Sequence, residues 1–219
     1  MESIQNWWDF VQTRQDDVIK ESLVHLRLVA ITVVMATIIA VSVGILVSQR
    51  PLLRALALSI SSTFLTIPSL ALFALFVPLV GTGNMPAIIA MTMYALLPIL
   101  RNTVTGLDAV SPAVVESAKG MGMNGRQQLV RVRLPLAYPL IMAGIRVATL
   151  LTVGIAAIAV LVGGGGLGDF IRLGINQQGF PFANYAVVTG VVFIVLIGLV
   201  LDIALATFQR FTTARGLRS

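Results

Sequence analysis

The chain alternates long uncharged runs with short basic clusters, and the runs are longer than the core helices of a soluble domain. Met1 to Arg27 is polar and acidic, and the first apolar run opens only at Leu28. Between Arg27 and Arg50 lie 22 uncharged residues, Leu28 to Gln49. At about 1.5 Å of rise per residue they cross about 30 Å of hydrocarbon, which predicts a first span over 28–49. The 46 uncharged residues between Arg54 and Arg101 are too many for one crossing. Gly81, Thr82, Gly83, Asn84 and Pro86 place a turn in their midst, so a hairpin of spans 55–80 and 85–103 is expected. A fourth span is expected over 139–162, then a Gly-rich loop, and a fifth over 186–207.

This pattern predicts an all-α integral membrane protein with five transmembrane helices. Composition agrees: 57% of residues are apolar and 11% charged, against about 25% charged in soluble domains. Cysteine is absent, which removes disulfides, thiolate metal sites and Cys nucleophiles, and His25 alone cannot build a zinc site. No catalytic or metal-binding residue is expected. The N-terminal segment lacks a basic start, a short apolar core and a cleavage site, so no cleaved signal peptide is expected.

The net charge of +6 raises the question of nucleic acid until the basic residues are located. With residues 104–134 as a cytoplasmic loop, eleven of the fifteen basic residues but only three of the nine acidic ones fall inside. The basic excess then follows from topology, and no nucleic acid is needed. The N-terminus is expected outside, with residues 1–27 as an outer interfacial segment anchored by Trp7 and Trp8. The C-terminus is expected inside, with 208–219 as a basic tail.

The loop 104–134 reads as a helical hairpin. Ser111-Pro112 is a helix start, Gly120 and Gly122 stop that helix, and Asn124 with Gln127 forms a capping-box pattern for a second helix from Gly125 to about Val132. Val114, Val115, Ala118, Met121, Leu129 and Val130 give it more apolar surface than a solvated loop wants. That surface either folds back on the chain's own spans or docks on another protein; docking is the favoured reading.

Glu116-Ser117-Ala118, three residues, Gly122, nine residues, then Val132-Arg133-Leu134-Pro135 resembles the cytoplasmic signature of bacterial ABC-importer permeases. That signature reads Glu-Ala-Ala, three residues, Gly, nine residues, Ile, one residue, Leu-Pro, and only Ser117 and Val132 depart from it. The resemblance implies a permease subunit whose loop forms a coupling helix that enters a groove on a cytoplasmic ATPase. It assigns Glu116, Ser117, Ala118, Gly122, Val132, Leu134 and Pro135 to that coupling. It also implies a second permease subunit, identical or not, an extracytoplasmic substrate-binding protein, and a bacterial or archaeal cytoplasmic membrane. No cofactor is expected on this chain, with ATP-Mg on the partner ATPase. Thr66-Ile67-Pro68-Ser69-Leu70-Ala71-Leu72 and Tyr94-Ala95-Leu96-Leu97-Pro98-Ile99-Leu100-Arg101-Asn102-Thr103 resemble the osmoprotectant group, which imports glycine betaine, choline or carnitine. Methionine-uptake permeases are the nearest alternative.

Other segments bear on this reading. Gly163, Gly165 and Gly168 fit G-x-G-x-x-G but follow an apolar run rather than a strand, so no nucleotide site is expected, and no Walker-type phosphate loop is present. Leu167, Phe170, Ile171, Gly174 and Ile175 mark a short amphipathic helix on the outer face. Pro68 predicts a kink in the second span by leaving the Phe64 carbonyl without its helical donor. Nearby hydroxyls, Ser62, Thr66 and Ser69 among them, either satisfy freed backbone groups or line a pathway. Phe64, Phe73, Phe76 and Tyr94 are available for cation–π attraction to a quaternary ammonium. Pro98 and Pro139 read as span boundaries. Arg146 is expected to reach the inner surface, Asp202 to pair with an Arg there, and His25 to be a surface residue. An ion-coupled secondary carrier is the competing class, but only Arg146 and Asp202 approach mid-membrane.

Overall fold

The computed structural model describes residues 2–213; of the expected basic tail, 214–219 lie outside the described residues. The described chain holds ten α-helices and no strand. Helix α1 covers Glu2–Thr13 and α2 covers Gln15–Val47, so the polar segment before Leu28 continues into the first apolar run as helix. Helices α3, Pro51–Thr66, and α4, Ser69–Val80, are bent by 99° at Ile67-Pro68. Helix α5 runs Asn84–Asp108, α6 Pro112–Gly120 and α7 Gly125–Gln128. A π-helical turn, Leu129–Arg133, joins α7 to α8, Leu134–Ala156. A 3-10 turn over Ala159–Val162 leads to α9, Gly168–Asn176, and α10, Ala183–Thr212, closes the fold.

Helix α2, α5, the continuous stretch Gly125–Ala156 and α10 are each long and apolar enough to cross a membrane; α3 and α4 together make a bent fifth candidate. Helix α5 is the buried centre, packed on α2, α3, α4 and α8, whereas α10 lies on the rim against α8 and α9. Small residues let α5 and α8 approach closely. A Cβ on Gly144 would lie 2.7 Å from the Pro98 carbonyl oxygen, a contact only glycine permits. The core follows this axis, with Leu28, Val29, Phe73, Met91, Tyr94 and Leu167 at one end and Ile99, Leu100 and Val104 nearer the other.

Three expectations are corrected. Pro98 and Pro139 are not boundaries: α5 continues past Pro98 to Asp108, and Pro139 lies inside α8. Neighbouring side chains bond to these prolines' own carbonyls: Asn102 Nδ2 donates to Pro98 at 2.8 Å, and Gln209 Nε2 donates to Pro139 at 3.2 Å. The carbonyls that lose a helical donor are those of Tyr94 and Pro135, four residues earlier, and both helices continue through the gap. The second helix of the 104–134 hairpin does not stop before Pro135, because it passes into α8 without a break. Pro135 has no N–H for the Arg131 carbonyl, and the wider π turn just before it absorbs the misfit. His25 is not a surface residue. It is fully buried, its Nε2 is 3.1 Å from the Val153 carbonyl oxygen, and Glu21 one turn earlier accepts the Gly166 N–H at 2.8 Å.

Candidate functional site

Two local structures stand out, a reversing segment at one end of the bundle and a broken helix at its side. The reversing segment is α6, the turn and α7. Ser111 stands at the N-cap of α6 with Pro112 at the first helical position, though no side-chain cap bond forms. After Gly120 the chain reverses at Gly122, whose φ of +80° lies in the left-handed region. Nothing lies within 4 Å of where a Cβ would sit there, so glycine is required by the backbone rather than by space. Asn124 and Gln127 form a full capping box: Gln127 N–H donates to Asn124 Oδ1 at 2.9 Å, and Asn124 N–H donates to Gln127 Oε1 at 2.8 Å.

The motif's residues separate into a supporting set and a displayed set. Ala118 is buried, and its carbonyl accepts the Met123 N–H at 3.1 Å, which closes the turn. Leu134 packs with the Leu107, Ala137 and Ile141 cluster, and Val132 is half-buried in the π turn. Because α6 packs on both α7 and the π turn, the two halves of the spaced motif meet in space. Glu116, Ser117 and Pro135 are exposed. Ser117 Oγ returns to the Ala113 carbonyl at 2.8 Å, while Glu116 makes no ion pair among the described residues. Met121 is 70% exposed and Val130 53%, with Val114 also outward, so this apolar surface is not folded back on the chain.

The broken helix gathers the second group. Pro68 and Thr66 are exposed at the bend; Ser62 and Ser69 are half-buried. Ser62 Oγ donates to the Ser59 carbonyl at 2.8 Å and Thr66 Oγ1 to the Thr63 carbonyl at 2.7 Å, so these hydroxyls do satisfy backbone oxygens of their own helix. The Phe64 carbonyl, expected to be orphaned by Pro68, takes the Ile67 N–H instead at 3.3 Å. The Ile67 carbonyl accepts the Tyr94 hydroxyl from the middle of α5. Of the aromatic side chains considered for a cation, Phe73 and Tyr94 are buried in the core, and only Phe64 and Phe76 keep some exposure.

Polar side chains also tie the helices; the pairing of Asp202 with an Arg was expected, whereas the Arg54 and Trp7 ties were not. Arg54 on α3 pairs with Asp108 at the end of α5. Arg146 and Asp202 form a two-pronged ion pair between α8 and α10, Nε and one terminal nitrogen each 2.8 Å from a carboxylate oxygen. Trp7 Nε1 donates to Thr189 Oγ1 at 3.0 Å, tying α1 to α10, while Trp8 stays exposed. Asp169 and Arg172 on the amphipathic α9 pair with each other.

The chain is thus of the class of helical bundles with several helices apolar enough to cross a membrane, and it carries a spaced, self-supporting reversing motif at one end. Residues 28–213 match the family described as the binding-protein-dependent transport system inner membrane component, and the chain belongs to that family, the ABC-importer permeases. It is 38% identical over 209 residues to the glycine betaine/carnitine/choline transport system permease protein OpuCB of Bacillus subtilis (strain 168), covering 95% of this chain and 94% of that one. It is 40% identical over 199 residues to the osmoprotectant import permease protein OsmW of Salmonella typhimurium (strain LT2), covering 89% and 91%. Among solved structures, an inward-facing conformation of the MetNI methionine ABC transporter superposes with a TM-score of 0.78 at 24% identity, covering 90% of this chain and 96% of that chain. This last likeness is one of fold. Permeases of this class work with ATPase and substrate-binding subunits, and the family's place in the membrane agrees with the several apolar helices found here.

Proposed function

We propose that this chain imports an osmoprotectant, of the glycine betaine, carnitine or choline type, as one half of a permease dimer driven by a cytoplasmic ATPase. The relatives named for those solutes, alike over nearly the full length, support the substrate class. The bent α3–α4 pair serves as one crossing. Arg54 at its start meets the last residue of α5, while Gly83, just after its end, donates to the Val162 carbonyl at 2.9 Å beside the first residue of α5. With that crossing the bundle has five, the N-terminus outside and the C-terminus inside, in keeping with the basic cluster at the reversing-segment end. The elbow around Ser62, Thr66, Pro68 and Ser69 faces the pathway, since a break in the helical backbone at membrane depth is tolerated only inside protein or beside a water-filled cavity.

The observation that carries the mechanism is the reversing segment itself. Its interior is closed by Ala118, Gly122 and the Asn124–Gln127 box, while Glu116, Val114 and Met121 stay outward. A rigid, partly apolar knob suits insertion into a partner's groove, and its continuity with α8 transmits displacement into the membrane. The chain has no cysteine, so a single Met121→Cys substitution places one crosslinker on the knob. In proteoliposomes with ATPase and binding protein, the crosslink is expected on the ATPase, with ATP-dependent uptake of at least one of labelled glycine betaine, carnitine and choline. Crosslinks confined to this chain's own helices, with the ATPase present and cycling, overturn the coupling role. Uptake of methionine alone overturns the substrate class.

A further inference from the structure

Resting on the transport reading above, we infer that Tyr94 is the positioning residue that pins the α3–α4 elbow to the helix leading into the coupling segment. Pro68 has no N–H, so no helical hydrogen bond spans the bend: Ile67 N–H turns back to Phe64, and the next donor, Leu72 N–H, begins a new ladder at Pro68 at 3.0 Å. The angle between the half-helices is therefore free to change without breaking a ladder bond. Among the described residues, two side-chain ties hold the segment to the rest of the chain. One is the Arg54–Asp108 pair at its far end; the other is the Tyr94 hydroxyl on the Ile67 carbonyl, at the bend itself.

Tyr94 is 4% exposed, so its ring is fixed by packing and its hydroxyl reports the position of α5 directly. Four residues on, Pro98 offers no N–H to the Tyr94 carbonyl, so α5 is softened at the point where it grips the elbow. The other end of α5 runs through Asp108 to the start of α6. A displacement of the coupling segment thus reaches the elbow through one helix and one hydroxyl. The elbow carries the exposed Thr66 and Pro68 at the proposed pathway, so the pin sets when that surface opens.

Tyr94→Phe keeps the ring and removes only the hydroxyl. It is expected to shift the elbow equilibrium about two- to tenfold, the equivalent of one neutral hydrogen bond. The first readout is maleimide labelling of a single Leu70→Cys, which lies just beyond the bend and is 46% exposed. In the assembled transporter, Tyr94→Phe should change the labelling rate by that factor. The second is the ATP consumed per solute imported, which should rise by a similar factor. The third is a cycle with Pro68→Ala, which restores an N–H and lets the ladder close across the bend, making the pin redundant. Tyr94→Phe should then add nothing. An unchanged labelling rate in a folded Tyr94→Phe protein overturns the inference, as does an equal effect of Tyr94→Phe in both backgrounds. If the parent imports none of the osmoprotectants tested, the substrate reading falls, and the labelling arm, which needs no solute, still decides the pin.

Discussion

Asp202→Ala isolates what holds the rim helix α10 to the bundle. Lipid-facing apolar side chains gain nothing by leaving one hydrocarbon phase for another, so van der Waals packing and polar contacts must hold the helix. Arg146 lies about 18 Å along α8 from Leu134 at about 1.5 Å per residue, deep within the apolar stretch. Its two bonds to Asp202 are both 2.8 Å, and the side chains are 34% and 27% exposed in the isolated chain. An unpaired Arg at a helix centre costs about 2.5–3.5 kcal/mol, and partial exposure reduces this to about 1–3 kcal/mol. For a chain of this size that is a fall of about 2–10 °C in the melting temperature of the detergent-purified subunit. The double variant Arg146→Met/Asp202→Leu removes both charges and should recover most of the loss, because an apolar pair needs no desolvation. A thermal melt of the wild type and the two variants, with the amount inserted in membranes, makes the comparison. Wild-type melting for Asp202→Ala, or a double variant less stable than Asp202→Ala, would refute the reasoning.

Gly168→Ala should abolish stable insertion, since its Cβ would lie 2.0 Å from the Ala157 carbonyl oxygen, whereas Gly154→Ala, with nothing within 4 Å, should be tolerated; yield after membrane extraction separates the two. Gly122→Ala places a side chain at φ +80° in open space, so a conformational cost of about 1–2 kcal/mol falls on the reversing turn alone. Membrane insertion should stay normal while ATP-driven uptake falls, a split that joint measurement of both would reveal. Asn124→Ala removes the capping box for about 0.5–2 kcal/mol, and Asn124→Ser should restore much of it. Faster amide exchange over residues 125–128 in the Ala variant alone is the expected signature.

Some of this was legible along the chain. The apolar runs, their basic flanks and the spaced Glu116, Gly122, Leu134 and Pro135 pattern are local or near-local, and each has one dominant physical reading: hydrocarbon transfer, charge retention, backbone reversal. The Asn124–Gln127 box was readable for the same reason, because it is a contact within four residues.

The kink at Pro68 was legible, but its size and the continuity of the helices through Pro98 and Pro139 were not. Pro68, Pro98 and Pro139 look alike in an apolar run, yet Pro68 breaks its helix by 99° while the other two sit inside unbroken helices. The surroundings differ: α5 and α8 pack closely on each other along their length, whereas at the break the Ile67 carbonyl takes the Tyr94 hydroxyl. In the same way the partner of Asp202 is Arg146 on α8, and not an arginine near it in sequence, and His25 is buried because the Gly-rich loop packs over it. Hydropathy sums over neighbours in the chain and so determined the class of protein. The assignment of each buried hydrogen bond and charge joins residues far apart in sequence, and only the packed bundle decides it.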